Sequence, residues 1–104
     1  MVTIRMSKGM VDAWQQSEVA AWEDGNGEVY DILNRASDKV IANNDDEIRA
    51  LARSADFQAS MFDEVSQQDS EYRLAHLSRA RSLAHISVKL FAMLGEKRPV
   101  VSVW

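Results

Sequence analysis

Asp46-Glu47-Ile48-Arg49-Ala50-Leu51-Ala52-Arg53-Ser54-Ala55-Asp56-Phe57-Gln58-Ala59-Ser60-Met61-Phe62-Asp63-Glu64-Val65 is the stretch on which the fold turns. Ile48, Leu51, Ala52 and Ala55 follow i, i+3, i+4, i+7, one face of an α-helix. Met61, Phe62 and Val65 begin a second apolar set, and Asp56-Phe57-Gln58 between them leaves room for a tight turn. Two short amphipathic helices joined by such a turn bury both faces only by crossing steeply. That geometry predicts a helix-turn-helix over residues 46–65.

The spacing resembles that of lambda-repressor-like (Xre-type) helix-turn-helix regulators. In that family a Leu-Ala pair is followed by Gly-Val and then by two spaced apolar residues of the recognition helix. Here Leu51-Ala52 precede Asp56-Phe57, and Phe62 and Val65 take the later apolar places. Asp56 replaces the turn glycine, and Asp enters left-handed backbone more readily than most residues. The run Leu90-Phe91-Ala92-Met93-Leu94-Gly95 followed by Val100-Val101-Ser102-Val103 is similar to the closing helix and strand of small Xre-type regulators and antitoxins, with Glu71–Arg81 as an added helical segment. The resemblance implies a dimeric DNA-binding repressor or antitoxin. Gln58, Ser60 and Gln67 would then address bases while Arg49, Arg53 and Arg73 meet phosphates. Against it, Gln58–Gln67 carries Asp63 and Glu64 and no Lys or Arg, so the would-be recognition helix repels phosphate.

A chain of 104 residues, 46% hydrophobic and 27% charged, suits one globular domain. One proline and four glycines leave long elements uninterrupted, and the lack of cysteine excludes disulfides, thiolate nucleophiles and cysteine zinc sites. No apolar run reaches membrane-span length and the N-terminus lacks a signal-peptide core, so the expected setting is the cytoplasm without membrane attachment.

The remaining elements follow from periodicity. Thr3, Ile4 and their neighbours in Met1–Met6 read as a short strand, and Val11, Trp14 and Trp22 share a side of a helix from Met10 to Glu23. Asp24-Gly25-Asn26-Gly27 is a turn. Val29, Ile32, Leu33, Ala36 and Val40 form a helical stripe over Glu28–Ala42. Asn44 or Asp45 caps the next helix, with Glu47 in a capping-box variant, and Asp45-Asp46-Glu47 complement its dipole. A last helix spans Glu71–Leu94, with Leu83, Ile86, Leu90 and Leu94 as its main stripe and Leu74, Leu77 and Phe91 assisting. Gly95 and Pro99 end it before the strand-like Val100–Trp104. The expected fold is all-α: a compact single domain (residues 1–104) of about five helices with short β-strands at the two termini. Those strands would pair with each other or across a homodimer.

Nothing points to an enzyme or a cofactor. His76 and His85 lie nine residues apart on opposite helix faces and cannot share a metal, and no Gly-x-Ser-x-Gly elbow is present. Charge supplies the alternative function. The net charge is −4, yet Asp12, Glu18, Glu23, Asp24, Glu28 and Asp31 form a negative run without an intervening Lys or Arg. From Arg73 to Arg98 six basic residues stand against Glu96 alone, a balance of +5. An acidic helical module could use Asp12–Asp31, with Asp45, Asp46 and Glu47, to occupy the groove of a basic nucleic-acid-binding protein. Small mobile-element inhibitors, anti-CRISPR proteins among them, are an analogy of class for this reading. A third reading is a structural subunit whose terminal strands augment its neighbours.

Overall fold

The computed structural model describes residues 1–21 and 27–95. Their order is β1 (Val2–Arg5), α1 (Lys8–Ala21), α2 (Gly27–Leu33), β2 (Lys39–Ala42), α3 (Asp45–Gln68) and α4 (Arg73–Met93). The protein is mostly helical, with four helices among the described residues where about five were expected, and one two-stranded antiparallel sheet near the N-terminus. The chain divides into two compact units, Met1–Leu51 and Ala52–Trp104, with the boundary inside α3.

In the first unit, β1 pairs antiparallel with β2 in the register Val2 to Ala42, Thr3 to Ile41, Ile4 to Val40 and Arg5 to Lys39. The Met6 N–H donates to the Asp38 carbonyl at 3.1 Å and extends the pairing. Alternation follows from the pleat: Val40 and Ala42 are buried, while Thr3 and Arg5 face outward. Ser7 starts α1, its Oγ accepting the Met10 N–H at 3.2 Å. From there Val11, Trp14 and Glu18 descend one buried face. Val29, Ile32 and Leu33 are the buried face of α2.

The expected helix over Glu28–Ala42 is corrected here. It stops at Leu33, and Lys39–Ala42 is a strand. Val40 and Ala42 satisfy a period of two as well as the helical stripe satisfies 3.6, and Val40-Ile41 is β-branched. The deciding partner is β1, more than thirty residues away, which no local pattern reveals. The N-terminal strand therefore does not await the C-terminal run for a partner, and Val100–Trp104, like Trp22 and most of the 24–27 turn, lies outside the described residues.

The helix-turn-helix is the second correction. Residues 46–65 belong to one continuous 24-residue helix with no turn at Asp56–Gln58. No described residue other than glycine has positive φ. The stripe Ile48, Leu51, Ala52, Ala55 does not restart at Met61; it continues through Ala59, fully buried, to partly buried Phe62 and buried Ser66. Met61 and Val65 are exposed at 38% and 37%. One face with a single 3.6-residue period needs no turn, and Asp56-Phe57-Gln58 contains no breaker.

Within the second unit α3 and α4 run antiparallel, joined at one end by the Ser87 hydroxyl donating to the Ala52 carbonyl at 3.1 Å. At the other end Phe62 stacks on His76, with centroids 6.4 Å apart. Ala52, Ala55 and Ala59 on α3 are fully buried and Ala80 and Ser87 on α4 nearly or fully so, and small side chains let helix backbones approach closely. Leu83, Ile86, Leu90 and Phe91 complete the buried face of α4, whereas Leu74, expected to assist it, is 82% exposed. Gly95 closes the helix at φ 70°, its N–H donating to the Ala92 carbonyl, as a glycine after a helix does.

Candidate functional site

On the first unit, α1 and α2 enclose a recess of about 370 Å³ lined by Asp12, Gln15, Gln16, Val19, Ala20 and Tyr30. The helical period explains the lining. Val11, Trp14 and Glu18 occupy the buried face of α1, which leaves Asp12, Gln15, Gln16 and Val19 on its flank. Val29, Ile32 and Leu33 likewise turn inward on α2, so Tyr30 and Asp31 turn out. The recess thus offers a carboxylate, two carboxamides, a phenol and the apolar Val19 and Ala20 side chains. Glu28 and Asp31 are exposed on α2, and residues 9–34 contain no Lys, Arg or His. Lys8 reaches Asp12 only at 3.9 Å, a loose pair between side chains 74% and 48% exposed. Such a pair competes weakly with an incoming cation.

Three of the acidic residues singled out from sequence belong to that surface in different ways. Asp12 lines the recess, and Glu28 and Asp31 are exposed beside it. Glu18 is corrected: at 4% exposure it is part of the buried face of α1 and is not a contact residue. Glu23 and Asp24 lie outside the described residues. Gln15, Gln16, Val19 and Tyr30 were not anticipated. The available signal was negative, namely their positions off the apolar stripes.

The DNA-contact set does not assemble as expected. Gln58 is fully buried and cannot reach a base. Ser60 is partly buried and its hydroxyl donates back to the Asp56 carbonyl at 3.4 Å. Arg49 pairs with Asp46 at 3.5 Å. Arg53, Gln67 and Arg73 are exposed, the first two on α3 and the last at the start of α4. The side chains expected to address bases are therefore split between core and surface, because one continuous helix distributes Gln58, Ser60 and Gln67 around its axis.

Glu47 of the acidic triplet has a structural role. It accepts two hydrogen bonds from the Arg35 guanidinium, each 2.7 Å, and one from the Asn43 N–H at 2.7 Å. Its own N–H donates to Asn44 Oδ1 at 2.9 Å, the N-cap of α3. The Arg35 hydrogen bonds, helped by Asn43 and opposed by partial desolvation, hold the Glu47 carboxyl down at about 2. Arg35 also donates to the Ile41 carbonyl at 3.0 Å, so this fork ties the end of α2, β2 and the start of α3 together. Among the described residues no group of three His, Cys, Asp or Glu side chains could hold a metal ion. No helix among them is long and apolar enough to cross a membrane.

A second polar cluster joins α3 and α4. The His76 Nε2 lies 3.2 Å from Asp69 Oδ2, and Arg79 sits 5.9 Å from the Phe62 ring centroid. The hydrogen bond from His76, with further donation from the Tyr72 and Glu71 N–H groups, lowers the Asp69 carboxyl below its ordinary range. Asp69 thereby organises the turn into α4 through Glu71 and Tyr72, which donate to Oδ1 at 3.2 and 3.3 Å. The partners of His76 come from the preceding helix and turn, so spacing along α4 does not identify them. Comparison of the chain with protein-family models, curated proteins and solved structures gives no match.

Proposed function

We propose that the protein is a non-enzymatic interaction module whose acidic α1–α2 face captures a basic segment of a nucleic-acid-binding partner. The observation that carries this reading is the recess beside Asp12, Glu28 and Asp31, on a stretch of 26 residues without a single cation. An arginine entering the recess has the Asp12 carboxylate, the Gln15 and Gln16 carboxamides and the Tyr30 ring among the lining groups it can meet. Occupying such a groove on a partner would exclude nucleic acid by competing for the same cations, an inhibitor's mode of action. The test uses an arginine-rich peptide as probe. The wild-type chain binds it with an affinity that falls as salt rises, and the triple variant Asp12→Asn, Glu28→Gln, Asp31→Asn loses about tenfold or more. Equal binding by the triple variant overturns the reading.

A second reading keeps DNA as the partner without a helix-turn-helix. It rests on α4, which carries Arg73, Arg79, Arg81 and Lys89 and no acidic residue. Arg73, Arg81 and Lys89 are exposed. A regulator of this kind would bind duplex through phosphates. Reversing Arg73, Arg81 or Lys89 would each lower the salt slope by roughly one. Salt-independent affinity, or no duplex binding at low salt, removes it.

A further inference from the structure

The α1 residues that line the recess, Asp12, Gln15, Gln16, Val19 and Ala20, follow i, i+3, i+4, i+7, i+8, one flank of the helix about 12 Å long. That flank is graded in chemistry. Its carboxylate stands at the N-terminal end, the two carboxamides one turn later, and the apolar pair at the C-terminal end. Tyr30 of α2 adds an aromatic ring and is 39% exposed. At about 370 Å³ the recess lies at the small end of ligand pockets, which suits one side chain and not a whole helix. A face that drew cations by its field alone would need none of this grading, and lysine would serve it as well as arginine.

We propose that the recess is a pocket for a single arginine side chain, selective for guanidinium over ammonium, with Tyr30 as the residue that sets the selectivity; this rests on the acidic-face reading. Guanidinium presents its five N–H donors in one plane and leaves the faces of that plane bare. Asp12 offers two oxygens for a forked pair, and Gln15 and Gln16 each offer a carbonyl acceptor. The bare face stacks on Tyr30, and the methylene stem packs on Val19 and Ala20. An ammonium is more strongly hydrated, has three donors and lacks a flat face, so the apolar and aromatic lining removes its water with less in exchange. The chain holds an example in Lys8, one turn from Asp12. Its ammonium stays 3.9 Å from the carboxylate, its side chain is 74% exposed, and it does not line the recess. An incoming arginine displaces only this loose pair.

Two peptides, identical except that one carries four arginines where the other carries four lysines, test the proposal when titrated into the full chain at one salt concentration. Circular dichroism confirms that each variant keeps its helix content. Wild type binds the arginine peptide about tenfold or more tighter than the lysine peptide. Tyr30→Leu keeps an apolar side chain at this exposed position but removes the ring, and it cuts the ratio to about threefold or less by weakening arginine alone. Tyr30→Phe keeps the ring and the ratio. Equal affinity of wild type for the two peptides overturns the pocket; if the triple variant at Asp12, Glu28 and Asp31 then still loses binding, the acidic face stands without it. A ratio that survives Tyr30→Leu overturns the assignment of Tyr30. Binding of neither peptide overturns the pocket and the acidic-face reading together.

Discussion

Proline at position 57 distinguishes a continuous α3 from two helices joined at Asp56–Gln58. Phe57 lies at the middle of the 24-residue helix. There its N–H is committed to the carbonyl four residues back, and a proline both deletes that bond and drives its ring against the same carbonyl. The expected cost is about 3 kcal/mol relative to Phe57→Ala, which loses the same phenyl contacts but keeps the backbone bond. With urea slopes of about 1–3 kcal/mol per molar for small domains, the midpoint followed by circular dichroism at 222 nm falls by about 1–3 M below that of the alanine variant. On heating, the same cost corresponds to roughly 12–24 °C in a domain of this size. Both variants are compared at the same protein concentration. Were Asp56–Gln58 a turn, the amide of residue 57 would be free. Proline would then cost under about 1 kcal/mol, or stabilise by restricting the unfolded chain. A proline variant within about 1 kcal/mol of Phe57→Ala refutes the continuous helix and reinstates the two-helix reading.

The core assignment on α3 gives a paired test: Ala59→Leu overpacks a fully buried position and costs about 1–3 kcal/mol, while Met61→Leu on the exposed face stays within about 0.5 kcal/mol. Equal effects in chemical denaturation would contradict the assignment. Ser87→Ala removes the buried hydrogen bond to the Ala52 carbonyl and should lower stability by about 1 kcal/mol, and an unchanged urea midpoint would mean the hydroxyl contributes nothing. The Arg35–Glu47 fork predicts an acid transition. The Glu47 carboxyl is lowered from 4.5 to about 2, so its contribution is fully present above about pH 4.5 and is lost as pH falls through 2. The stability difference between wild type and Glu47→Gln is therefore constant near neutrality and shrinks between about pH 4.5 and 2. A difference that stays flat to pH 2 excludes the fork as its cause.

Helix content, the edges of α4 and the caps were readable because each depends on neighbours a few residues away. Asn44 and Gly95 act within one turn of their own positions, and the expected start of α3 and end of α4 agree with the observed bounds to within about two residues. The candidate acidic face was partly readable for the same reason. An uninterrupted negative run is visible in the letters, but whether Glu18 or Asp12 presents its carboxylate depends on which side of α1 the core takes. The recess itself needs α2 laid beside α1, so Gln15, Gln16 and Tyr30 carried no mark.

Sequence alone determined a mostly helical, cysteine-free chain with a cation-free acidic run at 12–31 and a net-basic stretch at 73–98, since composition and 3.6-residue periodicity are local properties. Tertiary structure decided the rest where one local pattern had two solutions. Lys39–Ala42 suits helix or strand, and pairing with Val2–Arg5 selects strand. The apolar residues of 48–65 suit two crossed helices or one straight one, and burial of Ala59 rather than Met61 selects the single helix. In both cases the deciding free energy comes from residues distant in sequence, through ladder hydrogen bonds in the first and close packing in the second.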